Sequence, residues 1–116
     1  MKINELSVGS LVLLKNEIFE IKNVYGIGEE VYLVGSKIRK DAQIHEISGV
    51  QLTNDILKKL GFVWNQNAWV RGYLIITTYA FNNHVFDCKG FAIQYVHQLQ
   101  VLANLLRAEL NTKSLL

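Results

Sequence analysis

The sequence of 116 residues predicts a single α+β domain. We expect small antiparallel β-sheet or SH3-like barrel units, a short middle helix and a C-terminal amphipathic helix. Three observations predict this class: short β-rich segments in the first half, a capped helical segment in the middle, and a long apolar helical face near the end. The expected layout is mainly β over 1–50, helix over 53–60, β over 69–88 and helix over 95–110.

Four short segments in the first half are predicted to be strands, at residues 11–14, 18–24, 30–34 and 43–47. They are rich in β-branched and aromatic residues, and the second alternates between polar and apolar positions, as a half-buried strand does. Gly26 and Gly28 indicate a turn between the second and third strands. The polar residues 39–41 are expected to form a connection before the fourth strand.

A short helix follows, because Thr53 is a good N-cap and Asp55 places a negative charge in the first turn. Gly61 is well placed to end this helix in a left-handed conformation. Residues 69–79 are then β-rich and 84–88 alternate, which predicts a second antiparallel layer. Residues 62–69 are expected to form a loop before it.

The last helix is predicted from leucines at helical spacing. Its apolar face carries Tyr95, Leu99, Leu102, Leu106 and Leu110. The opposite, polar face carries His97, Gln100, Asn104 and Arg107. A side stripe of Val101, Leu105 and Ala108 is either buried by the second sheet or exposed for a partner, including a second copy of the chain. Burial is favoured because most apolar residues in small domains belong to the core.

Composition excludes several kinds of protein. A single cysteine rules out an internal disulfide framework and a multi-cysteine zinc site. Twelve basic residues against ten acidic ones give a net charge of +2, which is too small an excess to indicate nucleic-acid binding by itself. The apolar runs are too short to span a membrane, and the N-terminal residues do not form a secretory signal. We therefore expect a cytoplasmic protein without membrane partners.

Catalytic residues are not evident, and we expect a protein that is not an enzyme and uses no cofactor or metal. The three histidines lack the close spacing of a metal motif. His84, Asp87 and Cys88 have suitable chemistry, but strand alternation directs Asp87 away from the other two. We favour the simpler interpretation, in which a buried cysteine lies beside a surface histidine.

The strongest binding feature lies at residues 62–69, where two tryptophans flank a polar, uncharged tip. This composition is typical of protein–protein hot spots, although the tryptophans would also suit a loop that folds onto the core. The hypothesis for a partner-binding surface comprises Trp64, Asn65, Asn67, Trp69, His97, Gln100, Val101, Asn104, Leu105 and Arg107.

RNA or single-stranded DNA binding is the alternative. Lys37, Arg39 and Lys40 form a small basic cluster, and Tyr32 would offer a ring for base stacking on a small β-barrel. Nearby acidic residues weaken this hypothesis.

Two motifs carry a family resemblance. Residues 52–62 fit the pattern L-T-x-x-I-L-x-x-L-G-F, and residues 95–102 fit Y-V-H-Q-L-Q-x-L. In this order they resemble a family of small, uncharacterised proteins from Bacteroidetes phages, prophages and mobile elements. The resemblance implies a non-enzymatic inhibitor of host defence, in its most specific form an anti-CRISPR protein that binds a Cas effector nuclease or its ribonucleoprotein complex. A phage structural or assembly protein is a further alternative.

Overall fold

The structure, a computed structural model, describes residues 7–25, 30–79 and 82–116, and the side chains of 79 and 82–84 are outside this description. The chain divides into two compact units, Met1–Val50 and Gln51–Leu115. Each unit has its own five-stranded antiparallel sheet. The predicted α+β class is thus confirmed, with a short middle helix and a C-terminal helix in the second unit.

The first unit is an antiparallel sheet of five strands. They are β1 (Leu11–Leu14), β2 (Glu17–Tyr25), β3 (Glu30–Val34), β4 (Arg39–Gln43) and β5 (Ser48–Gly49), with a 3₁₀-helix at Ile44–Glu46. The order β4-β3-β2-β1-β5 is a meander in which the last strand returns to pair with β1. Lys15 and Asn16 join β1 to β2 with φ of 48° and 65°, the two positive values that a type I′ hairpin requires.

Strand alternation builds the core of this unit. Cross-strand partners such as Ile21 and Leu33, or Val31 and Ala42, share the inner face of the sheet. The buried cluster consists of Val12, Leu14, Phe19, Ile21, Val31, Leu33, Ala42 and Ile47. The short, widely spaced β segments of the sequence therefore meet through their apolar faces, as their periodicity predicts.

The fourth strand was predicted four residues too late. Residues 39–41 belong to β4, and residues 44–46 form the 3₁₀-helix. The Glu46 side chain accepts a hydrogen bond from the Gln43 backbone N–H at 2.9 Å and so caps the N-terminal end of this helix. Because β4 is an edge strand that buries little more than Ala42, its polar composition resembles a loop. The turn predicted at Gly26 and Gly28 lies outside the described residues.

The second unit begins with a helix, continues as a β-meander and ends with a helix. Its elements are α1 (Asn54–Lys59), β6 (Val63–Asn65), β7 (Ala68–Arg71), β8 (Leu74–Tyr79), β9 (Asn82–Cys88), β10 (Phe91–Ile93), α2 (Val96–Leu105) and a 3₁₀-helix at Thr112–Leu115. The strand order β10-β9-β8-β7-β6 follows the chain.

Helix α1 is capped as the sequence predicts. Thr53 Oγ1 accepts a hydrogen bond from the Ile56 N–H at 3.2 Å. At the other end Gly61 has φ of +102°, and the Phe62 N–H bonds back to the Leu57 carbonyl at 3.0 Å. A left-handed glycine with such a return bond ends the helix and directs the chain into β6.

The β region differs from the prediction in its connections. Residues 69–79 are two strands, because Gly72 and Tyr73 form a turn between β7 and β8. The loop predicted at 62–69 is instead mostly the β6–β7 hairpin, in which only Gln66 and Asn67 separate the two strands. Backbone pairing can include polar residues such as Asn65, which composition alone assigns to a loop.

Helix α2 ends at Leu105 rather than at 110. Arg107 takes a positive φ of 54°, and the Ala108 N–H bonds to the Ala103 carbonyl at 2.8 Å, which stops the helix. The leucine spacing continues to Leu110, but this residue lies beyond the helix. It is half-buried in the tail that follows α2. None of the helices in the described part of the chain has the length and apolar character needed to cross a membrane.

Candidate partner-binding site

Trp64 and Trp69 lie directly opposite each other on β6 and β7. Their ring centroids are 5.3 Å apart and the ring planes meet at 61°, an edge-to-face contact. The residues that flank a two-residue hairpin loop exchange hydrogen bonds, so the next pair along is the non-hydrogen-bonded one, whose side chains come closest. The hairpin register therefore brings the two indoles together.

The two rings have different environments. Trp69 is half-buried, and its indole N–H donates to Asn54 Oδ1 at 3.1 Å, which fixes the ring against the start of α1. Trp64 keeps 51% of its surface exposed. Of the two environments that the sequence left open, Trp69 has the one in which the ring folds inward, whereas the Trp64 ring stays half-exposed.

A cleft of about 490 Å³ opens beside this pair. Its lining consists of Lys58, Gly61, Phe62, Val63, Trp64 and Trp69. Phe62 is buried and forms an apolar floor, whereas Val63 is 66% exposed and extends the apolar surface outward. Sequence reasoning missed four of these as site residues: Lys58 near the end of α1, Gly61 and Phe62 in the connection to the hairpin, and Val63 at the start of β6.

The base of the cleft is held by the C-terminal tail. Arg71 donates from Nη1 to the Gly61 carbonyl at 3.3 Å and from Nε to the Glu109 carbonyl at 2.7 Å. The Asn111 N–H donates to the Leu60 carbonyl at 3.0 Å, and Ser114 Oγ donates to the Lys59 carbonyl at 2.5 Å. Three consecutive carbonyls at the end of α1 thus receive donors, which satisfies groups that a helix end leaves without intrahelical partners.

One basic side chain lines the cleft and a second lies behind it. In the described residues the only ion pair joins Lys22 and Glu20, in the other unit. Within that part of the chain, the Lys58 ammonium and the Arg71 guanidinium therefore have no carboxylate within 4.0 Å. The second unit contains six basic and three acidic residues, whereas the first contains six basic and seven acidic residues. The excess of positive charge belongs to the unit that holds the cleft.

The predicted partner residues on the last helix divide into two groups. His97 was assigned to the polar face, and this is wrong, because its side chain is only 2% exposed and its ring stacks on Tyr95 at 5.6 Å. The first turn of α2 packs against β10, and the polar side of a short helix is buried there together with its apolar side. His97 is thus not a partner contact.

Farther along α2 the surface is open. Asn104 and Arg107 are exposed, and Gln100 and Ala108 are half-buried. Burial of the side stripe is wrong for its two large members, since Val101 is 47% and Leu105 is 72% exposed. They lie on the side of α2 away from the buried Leu99 and Ala103.

Asn65 and Asn67 are exposed on the hairpin, but no residue of α2 lines the cleft.

The basic cluster of the nucleic-acid alternative is divided by the sheet register. Tyr32 pairs with Asp41 and Leu33 pairs with Lys40, so Tyr32 and Lys40 lie on opposite faces. Lys40 instead lines a small cleft beside Phe19 and Ile38. Arg39 shares the face of Tyr32, as does Asp41. Lys37 is exposed in the turn that precedes β4.

Cys88 is fully buried on the inner face of the second sheet. Burial raises the pKa of its thiol, and the carboxylate of Asp87 adds to this, whereas Lys89 opposes it. A protonated thiol is a poor nucleophile. The side chain of His84 is outside the described residues. Within the described ranges, His, Cys, Asp and Glu side chains do not gather in groups of three or more that would hold a metal ion.

Comparison of the chain with protein-family models, with curated proteins and with solved structures gives no match.

Proposed function

We propose that this chain is a non-enzymatic binding protein that holds a protein partner at the cleft beside Trp64. The observation that carries the proposal is the half-exposed Trp64 indole, which lines a cleft together with the buried Phe62 and contacts a second tryptophan fixed by a hydrogen bond. A rigid, partly exposed tryptophan in a concave site is the arrangement that binding hot spots share.

The pre-formed geometry supports this proposal. Trp69 is anchored to Asn54 and packs edge-on against Trp64, so partner binding would immobilise little additional side-chain freedom. Less ordering on binding leaves more of the contact energy as affinity. Asn65 and Asn67 are exposed polar residues on the same hairpin.

The family resemblance gives the proposal its specific form. In that form the chain is a phage or mobile-element protein that inhibits host defence in the bacterial cytoplasm, and its partner is a Cas effector nuclease or its ribonucleoprotein complex. An inhibitor of this kind needs a rigid scaffold and a complementary patch rather than an active site. A capsid or assembly component, the other possibility, would be recovered with phage particle proteins.

The exposed Val101 and Leu105 of α2 support a second contact, which we propose to be with another copy of the chain. Sedimentation velocity over micromolar concentrations tests this contact. A dimer that Leu105→Glu converts to monomer supports it, and a monomer at all concentrations refutes it.

The test of the main proposal is a pull-down of the tagged protein from lysate of a Bacteroidetes host that carries CRISPR systems, with and without nuclease treatment. The variants are Trp64→Ala and, as a matched control, Tyr73→Ala, because Tyr73 is an 82% exposed aromatic residue in the β7–β8 turn of the same unit that does not line the cleft. We expect a protein partner that survives nuclease treatment, is lost with Trp64→Ala and is retained with Tyr73→Ala.

Two results would contradict the proposal. Recovery of nucleic acid alone, or loss of every partner after nuclease digestion, would favour the nucleic-acid alternative. Equal recovery with wild type and Trp64→Ala would show that the cleft is not the contact surface.

A further inference from the structure

We infer that the segment bound at this cleft is acidic: an apolar side chain that enters the cleft, with an aspartate or glutamate beside it. This inference rests on the proposed function and adds the chemistry of the partner. It combines the shape of the cleft with the charges that surround it.

The apolar part follows from the size and lining of the cleft. A space of about 490 Å³ over Phe62, Val63 and the two indoles is large enough for one bulky side chain and its neighbours. Leucine or phenylalanine would cover the exposed faces of Val63 and Trp64, which the chain itself leaves in contact with water.

The acidic part follows from charge complementarity. Lys58 lines the cleft and has no carboxylate partner among the residues that the structure describes. Arg71 lies directly behind Gly61, because a Cβ built on Gly61 would be 2.0 Å from Arg71 Nη1. Its two hydrogen bonds go to the carbonyls of Glu109 and Gly61, which carry no net charge to offset the guanidinium. A carboxylate on the partner would neutralise positive charge here, whereas a basic segment would meet repulsion.

Single-stranded nucleic acid is less well matched to the same charges. A polynucleotide needs a row of cations that follows successive phosphates, together with free ring faces for successive bases. The cleft lining offers one lysine, and each indole already contacts the other. One carboxylate beside one apolar anchor fits this limited set better.

The experiment selects ligands from a library of random 12-residue peptides displayed on phage, using the full chain as bait. Baits are the wild type, Lys58→Glu, and Lys89→Glu as a control, since Lys89 is an exposed lysine of the same unit that does not line the cleft. We expect wild type and Lys89→Glu to enrich peptides with Leu, Phe or Trp next to Asp or Glu, and Lys58→Glu to lose this acidic preference.

The selected peptides are then titrated by intrinsic fluorescence, because both tryptophans of the chain lie at the cleft. Lys58→Glu should weaken binding about tenfold or more, and Lys89→Glu about twofold or less. A 12-residue oligodeoxythymidylate is titrated in parallel and should leave the fluorescence unchanged.

Three results would overturn the inference: enrichment without acidic residues, no enrichment at all, or tighter binding of the oligonucleotide than of any peptide. The outcome is separable from the proposed function, which depends on the effect of Trp64→Ala in the pull-down. A partner that needs Trp64 but is indifferent to Lys58→Glu would preserve the function and refute the acidic ligand.

Discussion

Gly61 connects the end of α1 to the hairpin, and its conformation allows no other residue without strain. Its φ of +102° is outside the range that side chains favour, and a Cβ would displace the Arg71 guanidinium from its carbonyl partners. We predict that Gly61→Ala lowers the free energy of unfolding by about 1–3 kcal/mol. Urea denaturation followed by tryptophan fluorescence measures this change.

Gly72→Ala is the matched control for that substitution. Gly72 also has a positive φ, +59°, but a Cβ added there would meet no other atom within 4 Å. It should cost only the backbone strain, about 1–2 kcal/mol. We expect the larger loss for Gly61→Ala, and a loss no larger than that of Gly72→Ala would contradict the added cost of displacing Arg71.

Cys88 makes stability depend on pH in the alkaline range. Its buried thiol has a pKa above the ordinary value of 9.0. In the unfolded chain the thiol loses its proton as pH rises through 9.0, while in the folded chain it keeps it, so deprotonation favours the unfolded state. The stabilisation is complete below pH 9.0 and is lost as pH rises through the folded-state pKa.

We therefore predict that the free energy of unfolding falls more between about pH 8 and pH 10 in the wild type than in Cys88→Ala. The comparison cancels every contribution that the two proteins share. Parallel pH profiles would mean that the folded-state pKa of Cys88 is not raised.

At the scale of elements, the contact of the tail with α1 supports the cleft. Arg71 holds two carbonyls from segments 48 residues apart in the chain, Gly61 and Glu109. We predict that Arg71→Met destabilises the second unit by about 1–3 kcal/mol, because two carbonyls lose a charged donor. Arg107→Met, at an exposed position, should change stability by about 0.5 kcal/mol or less. Chemical denaturation followed by tryptophan fluorescence reports on this unit, and similar losses for both variants would contradict the prediction.

Elements with local signals were predictable, and those with distant partners were not. Thr53 and Gly61 specify α1 because capping depends on a few neighbouring residues. The end of α2 was misplaced because the leucine spacing continues through Leu110, while the chain is diverted by the bond from Asn111 to Leu60. β4 was misplaced because an edge strand buries few side chains and can therefore be polar.

The candidate site shows the same division. Both tryptophans were identified from composition, and their pairing follows from a short hairpin. The cleft itself depends on the approach of Phe62 and Lys58 to the hairpin and on the tail behind them, and these contacts leave no periodic pattern in the sequence. His97 was misassigned because a helical wheel assumes one buried face, whereas the first turn of α2 is buried on more than one side.

At the scale of the whole molecule, the charge is distributed unevenly between the two units, and the cleft unit has the positive excess. Few of these cations lie at the cleft, so we predict a modest dependence of partner binding on salt. An increase from about 50 to 200 mM should weaken binding less than tenfold, whereas a nucleic-acid complex with many phosphate contacts would weaken about 10³-fold or more. Binding isotherms at the two salt concentrations distinguish these outcomes.

The central claim is that the indole of Trp64 contacts the partner, and fluorine NMR tests it most directly. The chain labelled with 5-fluorotryptophan should give two resonances, one for each tryptophan, which Trp64→Phe assigns. The labelled chain is mixed with nuclease-treated lysate of the host from which the pull-down recovers a partner. We predict that the Trp64 resonance then shifts or broadens more than that of Trp69. If both resonances stay unchanged in a lysate from which the tagged chain does recover a partner, the Trp64 indole does not contact that partner.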